Sequence, residues 1–269
     1  MHPIPVRRMR INVPDEFHPV YMAGQAAASY NLTGLGLYVA VLEPFIVKAM
    51  RRVIDRITDP ELRDNLDRFC RQEAQHYMQH ERFNALVLAH GYPGLQARVA
   101  RLRVDFDDFL VKRDDRFRIA FIEGFEANTT QGALLLLRSG AFEHPLTQPD
   151  FGLLFKWHML EEIEHRNIAF DVYQHLYGTY LYRASMCWYA QRHMSVFIGD
   201  CMKLMSAADI PRHGEQCRIT AKDRLLRLVA VALPRAISML PGYTPHKYDV
   251  PQEVGTLSAA LSQMAESAN

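Results

Sequence analysis

Two Glu-x-x-His tetrads, Glu73-Ala-Gln-His76 and Glu162-Ile-Glu-His165, each follow an apolar stretch that carries its own glutamate, VAVLEPFIV around Glu43 and IAFIEGFEA around Glu123. An α-helix turns about 100° per residue, so positions three and four apart share a face. Any compact fold of this chain must therefore accommodate carboxylates and imidazoles on faces that are otherwise apolar. A carboxylate buried without a partner is costly or neutralises itself, and a divalent cation is an efficient way to keep it ionised. The number of tetrads is not itself the argument. With 14 Glu and 12 His in 269 residues, roughly 0.6 Glu-x-x-His matches are expected by chance, so the weight rests on the helical context and on the repeated order.

Helix signals dominate, and alternating strand patterns are scarce. A first helix is predicted from about Ala26 into Arg56, ending before Thr58-Asp59-Pro60, where Asp or Thr caps and Pro opens a second helix. The second runs through EAQHYMQHERFNALVLA to the breaker His90-Gly91-Tyr92-Pro93-Gly94. The charged segment LQARVARLRVDFDDFLVKRD reads as a crossover outside the core. FRIAFIEGFEANTTQGALLLLRSG reads as a third helix, and a fourth contains WHMLEEIEHRNIAFD. Two more helices are predicted at about 180–206 and 218–240, followed by a loose tail from Pro241. The expectation is an all-α, ferritin-like four-helix bundle with a long crossover and extra C-terminal helices. Its parts are an N-terminal loop segment (1–25), the di-metal bundle (26–178) and a C-terminal helical extension packed on it (179–269).

Composition narrows the partners. A formal net charge of +1 provides no field that would select nucleic acid or an anionic membrane. The basic start, MHPIPVRRMR, lacks the apolar run of a secretory signal. No uninterrupted apolar run is read as long enough to span a bilayer, and the best candidate, 225–240, carries Arg227, Pro234 and Arg235. Cys70, Cys187, Cys201 and Cys217 show no paired spacing and read as ordinary packed thiols. The chain is thus expected in the reducing cytoplasm, without a transmembrane segment.

Four-helix bundles hold two iron or manganese ions with a Glu-x-x-His from each of two helices and one glutamate from each of the other two. Glu43 and Glu123 are placed to be those glutamates, beside Glu73, His76, Glu162 and His165. With His158 at the origin of the helical wheel, Glu162 falls near about +40° and His165 near about −20°, so all three share a direction. Glu161 and Glu164 lie toward the flank, where they meet solvent, orient an imidazole or pair with a base such as Arg166. His80 reads as a hydrogen-bond partner behind the ligands or as a surface residue. Glu126, one turn from Glu123, is a candidate substrate-facing acid. His18, His144, His175, His193, His213 and His246 read as structural or exposed.

QEAQH, the IEGFEA helix and WHMLEEIEHRNIAFDVY resemble motifs of bacterial proteins grouped as predicted metal-dependent hydrolases, over about residues 15 to 180. The pattern His158, Glu162, His165 is also similar to the last iron-binding helix of ferritin-like di-iron arylamine N-oxygenases. That likeness implies seven metal ligands: Glu43, Glu73, His76, Glu123, His158, Glu162 and His165. The chain departs from the first family in two places. Leu42 and Pro44 flank Glu43 where Gly and Arg are usual, and Gly-Phe-Glu follows Glu123 where His-Phe-Thr is usual.

The first functional expectation is a non-haem di-iron oxygenase. Two iron ions, with manganese as the alternative, would activate O₂ to oxidise a small organic substrate, an amine being the best single choice, with electrons from an external donor. The alternative is a two-metal-dependent hydrolase. Iron storage or ferroxidase activity ranks third, because ferritins usually lack the second Glu-x-x-His and the additional histidine. Helical faces left over in the C-terminal extension leave room for a homodimer.

Overall fold

The computed structural model of the chain describes residues 4–267. Residues 1–3 of the expected N-terminal segment and 268–269 of the expected tail lie outside the described residues. All regular structure among the described residues is helical. Helix α1 (Ala26–Val53) and helix α2 (Pro60–Ala89) pack along one another, joined through a 3₁₀ turn at Ile54–Arg56. The start of α2 is the one its sequence predicts: Pro60 opens it, and the Asp59 carboxylate accepts from the Glu61 and Leu62 N–H groups. Helix α1 continues through Pro44, although proline offers no N–H to the carbonyl one turn earlier.

Helix α3 (Leu95–Lys112) crosses to the second half, where α4 (Asp115–Arg138) packs on α5 (Pro149–Glu164). The crossover is more than a connection. Leu95, Val99, Leu102, Phe106 and Phe109 recur at helical spacing, and all are buried. Phe106 and Phe109 lie 5.2 Å from Phe45 and 5.2 Å from Phe121 respectively, joining α3 to α1 and α4.

Three further expectations are corrected. The predicted fourth helix is two helices, α5 and α6 (Ile168–Leu176), with His165 as the last cap of α5. Its N–H closes on the Glu161 carbonyl, Arg166 donates to the Ile163 carbonyl at 2.7 Å, and Ile168 N–H returns to the His165 carbonyl. These bonds satisfy carbonyls that a continuing helix would otherwise use. Helix α7 (Tyr180–His213) outlasts its expected end by two turns and lies against both α1 and α4. Gly124 sets that approach: a Cβ there would stand 2.8 Å from the Cys187 Cα and the Met186 carbonyl oxygen.

After α8 (Ala221–Ser238) the expected loose tail folds instead into a 3₁₀ turn (Pro245–Lys247) and α9 (Gln252–Ser267). Val254, Leu261 and Ala265 bury one stripe of α9, which packs on α5. Helix α8 turns Arg227 and Arg235 inward, the latter onto the Ser195 hydroxyl at 3.0 Å. Arg227 bonds Asn31 and the Ser195 carbonyl, whereas Leu225, Leu228, Val229 and Leu233 face outward.

One described segment, Ala26–Arg56, is long and apolar enough to cross a membrane, contrary to the reading that no run approaches that length. Of its apolar window, 78% is buried inside the protein, so the apolar surface of this helix is used in core packing. All four cysteines are free and buried.

Candidate metal centre

Four helices converge their polar side chains at one depth of the core: α1 supplies Glu43, α2 supplies Glu73, His76 and His80, α4 supplies Glu126, and α5 supplies His158, Glu162 and its cap His165. None of these eight residues is more than 3% exposed. Two groupings bring one donor atom from each member within 4.8 Å of the others, Glu43–Glu73–His76 and Glu73–Glu126–His165. Glu73 belongs to both. His158 and Glu162 join His76 in a third grouping, and Glu43, His80 and His158 form a fourth. The imidazoles meet the carboxylates at short range: His158 Nε2 lies 2.8 Å from Glu162 Oε1, and His165 Nε2 lies 3.4 Å from both Glu126 Oε2 and Glu162 Oε2.

The expected ligand Glu123 is not in this cluster. It lies on the other buried face of α4, where Oε1 accepts from Arg183 at 3.0 Å and Oε2 from the Cys187 thiol at 3.3 Å. Glu126, expected as a substrate-facing acid, occupies the place sequence reasoning gave to Glu123. The departure Gly-Phe-Glu explains the exchange. Gly124 lets α7 press close, Glu123 meets the arginine that α7 presents, and the glutamate three positions on turns to the centre of the bundle.

Behind each imidazole stands a partner for its other nitrogen, the arrangement that fixes tautomer and ring direction in metal sites. His76 Nε2 meets Glu161 at 3.0 Å, leaving Nδ1 toward Glu73. His165 Nδ1 meets Gln72 Oε1 at 3.1 Å, leaving Nε2 inward. His158 Nδ1 meets His80 Nε2 at 2.5 Å. Gly36 makes room for that second ring, since a Cβ on it would stand 3.2 Å from His80 Nδ1.

Glu161 is held in turn by Arg7, whose guanidinium bonds it at 2.9 Å and Glu164 at 2.7 and 2.8 Å, and also reaches Ser258 on α9. Of the readings open for these two acids, Glu161 takes that of orienting an imidazole, and the base that both meet is Arg7. Neither Arg7 nor Gln72 carries a signal in the sequence, because one precedes the bundle altogether and the other is an ordinary helical glutamine. Aromatic rings wall the centre: Phe69 on His165 at 4.8 Å, Trp157 on His76 at 4.8 Å, and Phe155 on His80 at 5.5 Å.

The donor set fits two metal ions. Four buried carboxylates, Glu43, Glu73, Glu126 and Glu162, match in charge two divalent cations. Both oxygens of Glu43, and Glu73 Oε1, His76 Nδ1, Glu126 Oε1, Glu162 Oε2 and His165 Nε2, are buried with no hydrogen-bond partner. Buried polar atoms are rarely left so. No cysteine enters the groupings, and a carboxylate–imidazole set suits iron, manganese or zinc.

Protonation in the metal-free chain reflects the same crowding. Burial, reinforced by Glu73, lifts Glu43 well above the carboxylate range, and burial with the nearby Glu162 pushes Glu126 up to about 8. Burial works against charging His165 and His76, but the facing carboxylates outweigh it and raise both. Burial and neighbouring imidazoles lower His80 and His158. Two surface grooves, one between α3 and α7 and one between α7 and α8, contain none of these residues.

Over residues 5–249 the chain matches a family model described as "Predicted metal-dependent hydrolase". No curated protein and no solved structure matches.

Proposed function

Because the chain belongs to the family of predicted metal-dependent hydrolases, we propose that its carboxylate–imidazole cluster holds two divalent ions and that it hydrolyses a small organic substrate beside them. The observation that carries this reading is Glu73, whose carboxylate is common to the Glu43–His76 and Glu126–His165 groupings, so that the two groupings would form one continuous donor set for a pair of ions. When bound, such ions polarise a substrate oxygen and acidify water. Glu43, Glu73 and His76 hold one side of the site, Glu126, Glu162 and His165 hold the other, and His158 reaches in from α5. His80 Nε2 shares a hydrogen bond with His158 Nδ1 and so fixes the direction of the His158 ring, with its Nε2 turned toward Glu162. Burial of every donor and the aromatic wall favour a small molecule over a macromolecule.

The test is turnover of an ester, amide and phosphoester panel by chains loaded with zinc or manganese under anaerobic conditions. Turnover that is lost in Glu73→Gln together with metal supports hydrolysis. No turnover with any metal, alongside oxygen uptake by the ferrous form, overturns it.

A second reading, oxidation of a small amine by two irons and O₂ with an external electron donor, is favoured by one observation: the third imidazole, His158, lies among the carboxylates. Ferrous loading without oxygen followed by stopped-flow mixing with O₂ tests it, a transient visible band being the expected result. In His158→Ala, unchanged metal content and an unchanged transient would remove His158 from the donor set. The same imidazole content sets the cluster apart from an iron store.

A further inference from the structure

A separate group of metal-ligating side chains lies where α2 and α7 end. His90 caps α2, while Asp209 and His213 stand one turn apart in the last turns of α7, and one donor atom from each lies within 4.8 Å of the others. His90 is ten residues beyond His80, about 15 Å further along the helix axis, so this group is distinct from the carboxylate cluster.

Its geometry is that of a prepared ligand set. Asp209 is completely buried, and its Oδ2 accepts from the Tyr30 hydroxyl at 2.9 Å and the Tyr92 hydroxyl at 2.7 Å. Those two bonds orient the carboxylate and leave Oδ1 without a hydrogen-bond partner, facing His90 Nε2, which has none either. The two atoms are 3.6 Å apart, beyond hydrogen-bond range. That gap is close to the roughly 3.4 Å that separates two donors bound tetrahedrally to one ion at about 2.0–2.1 Å. Phe17 and Tyr92 hold the His90 ring at centroid distances of 5.3 and 4.8 Å, and the His213 ring lies within 25° of parallel to it. His213 is exposed, so an ion can enter from solvent and keep a water molecule in its fourth position.

We propose that His90, Asp209 and His213 form a second metal site, selective for a zinc-class divalent transition ion, that staples the end of α2 to the end of α7. Two neutral imidazoles and one carboxylate are a borderline-soft donor set that suits zinc better than magnesium or calcium.

The experiment is equilibrium dialysis of the full chain against zinc followed by metal counting, for wild type, His213→Ala, His90→Ala and an exposed-histidine control, His144→Ala. The expected result is one zinc per chain fewer in the His213 and His90 variants than in wild type and the control, with a smaller zinc-dependent rise in Tm. Adding His213→Ala to a His165→Ala chain is expected to remove one further zinc beyond whatever His165→Ala alone removes, which separates this site from the cluster in the bundle. His213 is exposed, so its variant folds, and histidine ¹⁵N spectra report ring-nitrogen shifts for His90 and His213 on zinc addition in wild type. Equal zinc content in wild type and both single variants overturns the proposal, as does an equal loss in the His144 control.

Discussion

Replacing Glu123 and Glu126 in separate chains distinguishes a structural carboxylate from a metal-facing one. In Glu123→Ala the Arg183 guanidinium, only 2% exposed, loses its carboxylate at 3.0 Å. It retains the Leu240 carbonyl at 3.4 Å and the Tyr243 ring at 5.0 Å, neither of which carries a compensating charge. Removing one partner of a buried ion pair costs about 3–5 kcal/mol, a large share of the roughly 5–15 kcal/mol typical of a folded domain. Metal content should remain at the wild-type value.

Glu126→Gln should show the reverse. The Glu126 carboxyl titrates near about 8 in the metal-free fold, above its ordinary value of 4.5. The fold therefore holds a proton at neutral pH that the unfolded chain has released, so metal-free stability falls as pH rises from 4.5 to about 8 and the loss is complete above that. A neutral amide should leave metal-free stability equal or higher while one metal is lost. Urea denaturation of metal-free chains and metal counting on loaded ones measure both quantities. Loss of a metal from Glu123→Ala at wild-type stability, or retention of both ions by Glu126→Gln, would refute these two roles.

Arg7→Met should weaken metal binding by about 10- to 100-fold by freeing the Glu161 that orients His76; competition with a chromogenic chelator measures this, and unchanged affinity would show that the clamp acts on stability alone. Gly124→Ala places a methyl 2.8 Å from α7 backbone and should cost about 1–3 kcal/mol or more; a melting temperature equal to wild type would mean that α4 and α7 are not held this close. The homodimer expected from leftover helical faces is proposed to pair through the outward Leu228 and Leu233 of α8. Leu228→Glu with Leu233→Glu should then shift sedimentation from dimer to monomer, and a wild-type chain that already sediments as a monomer would refute the pairing.

The helical class, the start of α2 at Asp59-Pro60 and the shared face of His158, Glu162 and His165 were legible from local rules, because capping and a 3.6-residue period operate within one segment. The weak apolar stripe of α9 was not, since Val254, Leu261 and Ala265 are spaced among Ser, Gln and Gly and have meaning only against α5. Likewise nothing local could place Arg7 beside Glu161, or His213 beside His90, across separations of 154 residues for the first pair and most of the bundle for the second.

Glu123 and Glu126 show where that boundary lies. Helical phase places them on neighbouring faces of α4, but the segment from Arg118 to Ala127 is buried all round, so no contrast between an apolar and a polar face tells which glutamate looks into the bundle. Helical spacing alone is enough to bring one carboxylate of α4 to the centre. Only the packing of α7, with Arg183 meeting one glutamate across Gly124, decided that the other one faces the cluster, because a buried charge takes its orientation from the partner that compensates it.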